Sequence, residues 1–523
     1  MKPTFSALLL LLTVINTFSQ NQNLAIVQVD GGRIEGAIED GIAVYKGIPY
    51  AAPPIGELRW KAPQPVIPWS GVKQAKKYGN ACPQLKLPVK GFINADMSED
   101  CLYLNVWAPA TSKGKKLPVM VWIFGGGFFI GSSSNSVYSG EQFAKRGVIM
   151  VSFEYRLGTL GFLAHPELSA ESPNHVSGNY GLLDQIAALQ WVQRNIKAFG
   201  GDPECVTIFG QSAGAQSVSM LAASPLTKGL FHRAICQSGG SFGPVKKVKE
   251  SDCMQSLKGA EEDGVKFAQR RGVNSLAELR KLDAEKLTMN IGVDTFWPIA
   301  DGYVIKDDQY KLYQAGNYND VPVLIGYNSN DGSMFASSEK MPAGYKAFLN
   351  DRFGTLAPKV LEYYPEGDNN TTMQSKANIY RDSYFAWYTY AWAHLQTKTG
   401  KSKVYAYYFD QEQPKMNPFY YGSLKPAGVP HAGEIPYIFN HMDNDTSIHF
   451  EPRHRKLAET LITYWINFAK AGDPNGEKLP VWPAFKEDKP LVMKLGDNPA
   501  PVQFPNLEAI KVIDKYYSSR RKE

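Results

Sequence analysis

The feature that most constrains this chain is a strand pattern that runs directly into a serine flanked by glycines. Residues 206–211 are mostly apolar and end at Ser212, which lies between Gly210 and Gly214. Residues 213–223 follow as a stretch of helix-favouring side chains. A serine at such a strand–turn–helix corner is exposed at the tip of a sheet, and the glycines let strand and helix approach where a Cβ would clash. The pattern predicts Ser212 as a nucleophile, although G-x-S-x-G also arises by chance.

A second buried-strand pattern, residues 119–124, ends in three glycines at 125–127. A glycine-rich loop after a strand can point consecutive backbone N–H groups into a cavity, where acyl transfer needs donors for the oxygen that becomes negative. By itself the triplet indicates only a tight turn. Beside a nucleophile elbow, it predicts an oxyanion hole formed by the N–H groups of Gly126, Gly127 and Ala213.

A serine nucleophile needs a base, and in elbow enzymes the base follows the nucleophile and the acid along the chain. The histidines after Ser212 are His232, His394, His431, His441, His449 and His454. We choose His431, because prolines and glycines make residues 426–434 a rigid loop suited to holding an imidazole. The three histidines after it lie in a polar, charged segment that we interpret as solvated surface.

The orienting acid is sought after another strand pattern, residues 321–326, which is followed by a polar turn. A carboxylate at the carboxyl end of a sheet strand lies where active sites of open α/β sheets form. Asp331 is the acid in that turn and therefore the candidate. The alternative is an ordinary Asp-Gly turn residue.

At this point the chain resembles the type B carboxylesterases, the family that includes the cholinesterases. The resemblance runs from about residue 27 to residue 485 and depends on many ordered motifs. The matching segments are 45–51, 56–60, 98–107, 125–128, 155–158, 160–162, 179–185, 199–203, 210–214, 298–302, 431 with 434–437, 465–469 and 472–475.

Residue by residue, the resemblance implies a catalytic triad of Ser212, Asp331 and His431. The family acid is usually glutamate before Gly-Ser, whereas this chain has the shorter aspartate, which can still accept the imidazole N–H. Gln211 stands where glutamate is frequent, and we expect this change to leave the chemistry intact. Phe124 stands where relatives often have histidine or tyrosine, and we expect it to shape the pocket floor.

The chain has five cysteines, so at least one is unpaired in an exported protein. The resemblance implies a disulfide between Cys82 and Cys101, closing a loop beside the active-site mouth. We interpret Cys205 and Cys236 as small buried side chains. No cysteine or histidine pair has metal-site spacing, so no metal or other cofactor is expected.

Strand patterns at 119–124, 148–153, 206–209, 321–326 and 403–409 alternate with helical ones, which favours a mostly parallel sheet covered on both faces. The resemblance implies the α/β-hydrolase fold. Length alone suggests about three domains, but the triad candidates span 212 to 431. We therefore predict one domain, residues 20–523, with insertions around the active site.

Residues 1–19 have the charged start, the short apolar stretch and the small residues of a cleavable signal peptide. The mature chain is thus expected to be secreted or periplasmic, with no stable membrane insertion. Removing one lysine and no acid lowers the net charge from +6 to +5, which is no nucleic-acid footprint. We interpret residues 519–522 as a frayed, solvated tail.

The resulting hypothesis is an exported serine hydrolase of small to medium carboxylic esters, including aromatic ones, with an ester and water as its partners. The loop from Cys82 to Cys101 has no tryptophan, whereas cholinesterases bind the quaternary ammonium on one there. Gly292 and Asp294 stand near positions of bulky acyl-pocket aromatics and suggest a roomier pocket. The alternatives are a catalytically silent binding or adhesion homologue and a lipase or peptidase variant of the fold.

Overall fold

The computed structural model describes residues 25–522 apart from 88, 90, 251, 289–295, 339–343, 415–427 and 443–447. The signal-peptide prediction for residues 1–19 and the acyl-pocket prediction for Gly292 and Asp294 lie outside the described residues.

The strands of the described chain are numbered β1 to β17. In chain order they are Ile26–Val29, Gly32–Glu35, Ala37–Glu39, Ile42–Pro49, Val72–Gln74, Tyr103–Pro109, Leu117–Ile123, Ile149–Phe153, Gly201–Gln211, Arg233–Gln237, Val245–Lys246, Met254–Ser256, Ile299–Ala300, Val323–Asn328, Val404–Phe409, Leu491–Leu495 and Ala500–Gln503.

Eleven of these strands form one sheet in the order β17-β16-β15-β14-β10-β9-β7-β8-β6-β4-β3. The seven strands from β16 to β8 are parallel to their neighbours, and the edges are antiparallel. Strands β8 and β14 are buried at every position, as expected when helices cover both faces. The predicted mostly parallel sheet of the α/β-hydrolase fold is confirmed. Two smaller sheets have the orders β1-β2-β5 and β11-β12-β13.

The α-helices are numbered α1 to α17. They are Glu141–Lys145, Gly158–Phe162, Pro166–Glu171, Tyr180–Asn195, Ala213–Ala223, Leu257–Arg270, Leu276–Arg280, Ala284–Thr288, Gln309–Gln314, Ser333–Ser338, Tyr345–Phe353, Ala357–Tyr363, Asn369–Arg381, Trp387–Thr399, Ile435–Phe439, Pro452–Ala471 and Leu507–Arg520. A π-helix, Asp382–Ala386, joins α13 to α14, and short 3₁₀ turns occupy Gly56–Leu58, Ser136–Tyr138, Ile196–Phe199, Pro225–Thr227 and Gly354–Leu356.

The carboxyl-terminal helix α17 packs onto the body of the protein, so the prediction of a solvated tail was wrong. The Arg521 guanidinium donates to Asp308 Oδ2 at 3.0 Å and to the carbonyl of Phe242, and it lies 4.2 Å from the ring centre of Tyr310. A basic run at a chain end can thus be held by an acid and an aromatic face.

Within the described ranges, no helix has both the length and the apolar composition that a membrane span requires.

Candidate active site

Ser212 lies at the sharp corner between β9 and α5. Its backbone has φ +57° and ψ −124°, a conformation that a non-glycine residue adopts only under strain. A Cβ on Gly210 would lie 2.5 Å from the carbonyl carbon of Gly214, and one on Gly214 would lie 2.0 Å from the oxygen of Ile123. The flanking glycines are therefore required by the close approach of strand and helix, as the sequence predicted.

Asp331 and His431 are brought together behind this corner. Asp331 follows β14 and is fully buried, and its Oδ1 lies 2.9 Å from Nδ1 of His431. Its Oδ2 accepts hydrogen bonds from Ser238 Oγ at 2.8 Å and from the Asn328 N–H at 2.6 Å. Three hydrogen-bonding partners thus hold one carboxylate and fix its orientation.

The acid turn and the histidine loop are joined by their own hydrogen bonds. The Asn330 N–H donates to Val429 O at 2.8 Å, the Val429 N–H donates to Ser329 Oγ at 2.8 Å, and Asn328 Nδ2 donates to Pro430 O at 3.0 Å. These hydrogen bonds hold the acid turn beside the histidine loop, where the carboxylate of Asp331 reaches the imidazole.

Two aromatic side chains pack against the imidazole of His431. The rings of Phe335 and Phe385 lie 5.5 Å and 5.0 Å from the centre of the His431 ring. Phe385 belongs to the π-helix, an insertion in a helix that often marks a functional site. The two rings limit how far the imidazole can turn and give this side of the site an apolar wall.

The remaining ring nitrogen of His431, Nε2, faces the nucleophile corner. It lies 3.3 Å from Nε2 of Gln211, the residue immediately before Ser212. Within the part of the chain that the structure describes, Ser212 Oγ makes no hydrogen bond to His431. Hydrogen bonds of this kind often tighten only when substrate is bound.

The glycine loop lies against the nucleophile, because a Cβ on Gly125 would lie 3.0 Å from Cβ of Ser212. Gly126 and Gly127 have φ of +108° and +65°, and the carbonyl of Gly126 accepts from the N–H groups of Phe129 and Ile130. The N–H groups of Gly126, Gly127 and Ala213 donate to no acceptor among the described residues. These are the donors predicted for the oxyanion hole.

The predicted disulfide between Cys82 and Cys101 is present. Inside the loop that it closes, Gln84 exchanges two hydrogen bonds of 2.7 Å with the N–H and the carbonyl of Gly131, at the end of the glycine loop. Cys236 is buried as predicted, whereas Cys205 is only half-buried and accepts a hydrogen bond from Arg233 at 3.3 Å.

A second buried carboxyl group, Glu434, lies behind Asp331. Burial, followed by the nearby charge of Asp331, raises the pKa of Glu434 to about 7. Its oxygens accept from Asn328 Nδ2 at 2.5 Å and from Gln237 Nε2 at 3.3 Å. The site therefore contains two buried acids, of which only Asp331 contacts the imidazole.

Other histidines lie away from this arrangement, but one was misjudged. His454 is fully buried rather than solvated: its Nδ1 accepts from the Glu451 N–H at the start of α16 and its Nε2 faces the Glu412 carbonyl. A capping position after Glu451 and Pro452 is the sequence signal that could have identified it.

Among the residues that the structure describes, Glu250, Asp252 and Cys253 have the spacing of metal ligands, with ligand atoms within 4.8 Å of one another. Arg520 already pairs with Glu250, and Tyr516 already donates to Asp252. Nothing in these contacts calls for a cation.

The chain is similar to known proteins over most of its length. The model of the carboxylesterase family matches residues 23–513. Fumonisin B1 esterase of Sphingopyxis macrogoltabida is 34% identical, with 91% of this chain and 87% of the relative covered, and para-nitrobenzyl esterase of Bacillus subtilis (strain 168) is 35% identical, with 88% and 93% covered. A solved structure of a PNB esterase superposes with a TM-score of 0.78 at 34% identity, covering 93% of this chain and 99% of that one. The chain therefore belongs to the carboxylesterase family and is a serine carboxylesterase.

Proposed function

We propose that this enzyme hydrolyses small to medium carboxylic esters, including aromatic ones, through an acyl-enzyme formed on Ser212. His431 is the general base and Asp331 its orienting acid. The observation that carries the proposal is the 2.9 Å hydrogen bond between Asp331 and His431 beside the strained corner at Ser212.

In the first half-reaction the Ser212 hydroxyl attacks the ester carbonyl while its proton moves to His431 Nε2. The carbonyl π-electrons move onto oxygen, and the N–H groups of Gly126, Gly127 and Ala213 stabilise that negative charge. The protonated imidazole then donates to the leaving alcohol as the carbonyl re-forms, which leaves an acyl group on the serine.

In the second half-reaction water replaces the alcohol. Its proton moves to Nε2 of His431, its oxygen attacks the acyl carbonyl, and the same three N–H groups stabilise the second tetrahedral intermediate. Collapse returns the proton to Ser212 and releases the carboxylic acid. The reaction needs no cofactor, because the imidazole supplies and receives every proton.

The substrate class is supported by two features. The loop from Cys82 to Cys101 offers no tryptophan face for a quaternary ammonium group, and Phe335 and Phe385 give the His431 side of the site an apolar, aromatic wall. We also infer that residues 1–19 direct export and that residues 20–523 form one domain.

The test compares the wild type with Ser212→Ala on p-nitrophenyl esters of graded acyl length, with Ser70→Ala, an exposed serine, as the control. A fluorophosphonate probe should label the wild type and Ser70→Ala at Ser212 and leave Ser212→Ala unlabelled. Wild-type turnover by Ser212→Ala would refute the assignment, and an unlabelled wild type would favour a binding homologue. Emulsified esters and a matched amide separate lipase and peptidase activities.

A further inference from the structure

The side chain of Gln211 lies between the nucleophile corner and the proposed base. Gln211 is the last residue of β9, and it is 4% exposed. Its Nε2 is 3.3 Å from Nε2 of His431, and a Cβ on Gly125 would lie 3.3 Å from its Oε1. The amide therefore contacts the imidazole at one end and the glycine loop at the other.

The partners of Asp331 determine which way this amide must point. Its carboxylate accepts from Ser238 and from the Asn328 N–H, and it lies 2.9 Å from Nδ1 of His431. A carboxylate only accepts, so the neutral imidazole carries its proton on Nδ1 and has its lone pair on Nε2. The group that contacts Nε2 must then be a donor, which is the NH₂ of Gln211.

We propose that Gln211 is a positioning residue that holds neutral His431 by its Nε2 lone pair until an ester substrate displaces the amide. This inference depends on the proposed function, since it assigns His431 as the base of Ser212. An sp² nitrogen has one lone pair, so the Ser212 hydroxyl donates to Nε2 only after the amide has released it. The amide gains and loses no proton: the proton that reaches Nε2 is that of Ser212.

The charges around the imidazole make this contact measurable. Among the described residues, the titratable groups facing His431 are Asp331, at Nδ1, and Glu434, buried three positions further along the chain. Phe335 and Phe385 cover the ring without charge. A donor at Nε2 favours the neutral imidazole, whereas a carboxylate at the same position favours the protonated one.

The experiment measures kcat/KM against pH on a p-nitrophenyl ester for the wild type, Gln211→Glu and Gln211→Met. The acidic limb reports the base of the free enzyme. In Gln211→Glu it should move to higher pH by about 1–3 units, the effect of an opposite charge within a few ångströms. Gln211→Met keeps the length but lacks the donor, so its limb should move in the same direction by less. Coincidence of the Gln211→Glu limb with the wild-type limb, or a Gln211→Met limb at or below it, overturns the proposal.

A second measurement keeps the proposal testable if Gln211→Glu does not fold. In ¹⁵N-histidine-labelled Ser212→Ala, His431 Nε2 should resonate as an unprotonated nitrogen that accepts a hydrogen bond, and the added Gln211→Met change should shift that resonance. An Nε2–H tautomer in Ser212→Ala overturns the proposal. Fluorophosphonate labelling of wild-type Ser212 distinguishes this failure from failure of the proposed function, because labelling requires the nucleophile and not the Gln211 contact.

Discussion

The two sides of the candidate site treat their polar groups in opposite ways. On the base side, Asp331 is fully buried and has hydrogen bonds from Ser238, Asn328 and His431. On the side of the proposed oxyanion hole, the N–H groups of Gly126, Gly127 and Ala213 have no acceptor among the described residues. In the proposed mechanism, the groups that must keep their position are paired within the protein, whereas the groups that stabilise a developing charge are left for the substrate.

The variant with the largest expected effect replaces the carboxylate that is paired with the base. Asp331→Asn places an NH₂ group among the donors that contact Asp331. This NH₂ favours the imidazole tautomer that carries its proton on Nε2, and a protonated Nε2 cannot accept the proton of Ser212. We expect kcat/KM on a p-nitrophenyl ester to fall by about 10⁴. Asp488→Asn, an exposed control, should keep wild-type activity. A loss below tenfold in Asp331→Asn would mean that another group orients the base.

The variant with the next largest expected effect moves the unpaired N–H groups of the glycine loop. In Gly126→Ala the new Cβ would lie 2.0 Å from Ile130 O, so the loop must move its donors away from the oxyanion. We expect kcat to fall by about 10²–10³, the usual effect of losing one such donor, with KM changed much less. Gly229→Ala is the matched control, because Gly229 also has positive φ, +79°, but no atom within 4 Å of the added Cβ. If both variants behave alike, backbone strain and not the donor geometry is responsible.

The parts of the fold that follow from local pattern were predictable. The helix after Ser212 begins and ends at the predicted residues, Ala213–Ala223, and five of the seven parallel strands overlap the patterns that indicated them. No pattern indicated the other two, β10 and β16. The glycine–serine spacing is a local requirement of the corner and is visible in the sequence. The disulfide followed from the family resemblance.

What the sequence did not reveal depends on contacts between distant segments. Gln211 was expected to be neutral for the chemistry, and its contact with an imidazole 220 positions away cannot be seen in its own neighbourhood. Ser238 and Phe385 reach the site only through the order of the strands and the extra residue of the π-helix. His454 was misjudged because charged neighbours do not exclude a buried ring that caps a helix.

A third variant, with a smaller expected effect, lengthens the acid by one methylene. Asp331→Glu restores the residue type usual in the family, but here the acid turn and the histidine loop are already drawn together through Asn330 and Val429. The extra methylene should therefore displace His431, and a displacement of about 1 Å costs up to about 10² in kcat. Activity equal to or above the wild type would show that the loops adjust freely. Thermal unfolding of the same variant separates displacement from loss of fold.

The smallest effect concerns stability on the paired side, where Glu434 is buried without contacting the imidazole. Its pKa is about 7 in the folded protein, raised by burial and by Asp331, against 4.5 ordinarily. Between about pH 4.5 and 7 the folded protein therefore binds a proton that the unfolded chain has released, so this group makes stability fall as pH rises through that window. Glu434→Gln removes the effect. We expect the free energy of unfolding of the variant, relative to the wild type, to be higher at pH 8 than at pH 5 by on the order of 2 kcal/mol, measured by urea denaturation. The comparison between the two pH values cancels any constant cost of the new amide facing Asn328 and Gln237. If the variant and the wild type differ in free energy of unfolding by the same amount at pH 5 and at pH 8, Glu434 is ionised in the folded protein at both pH values.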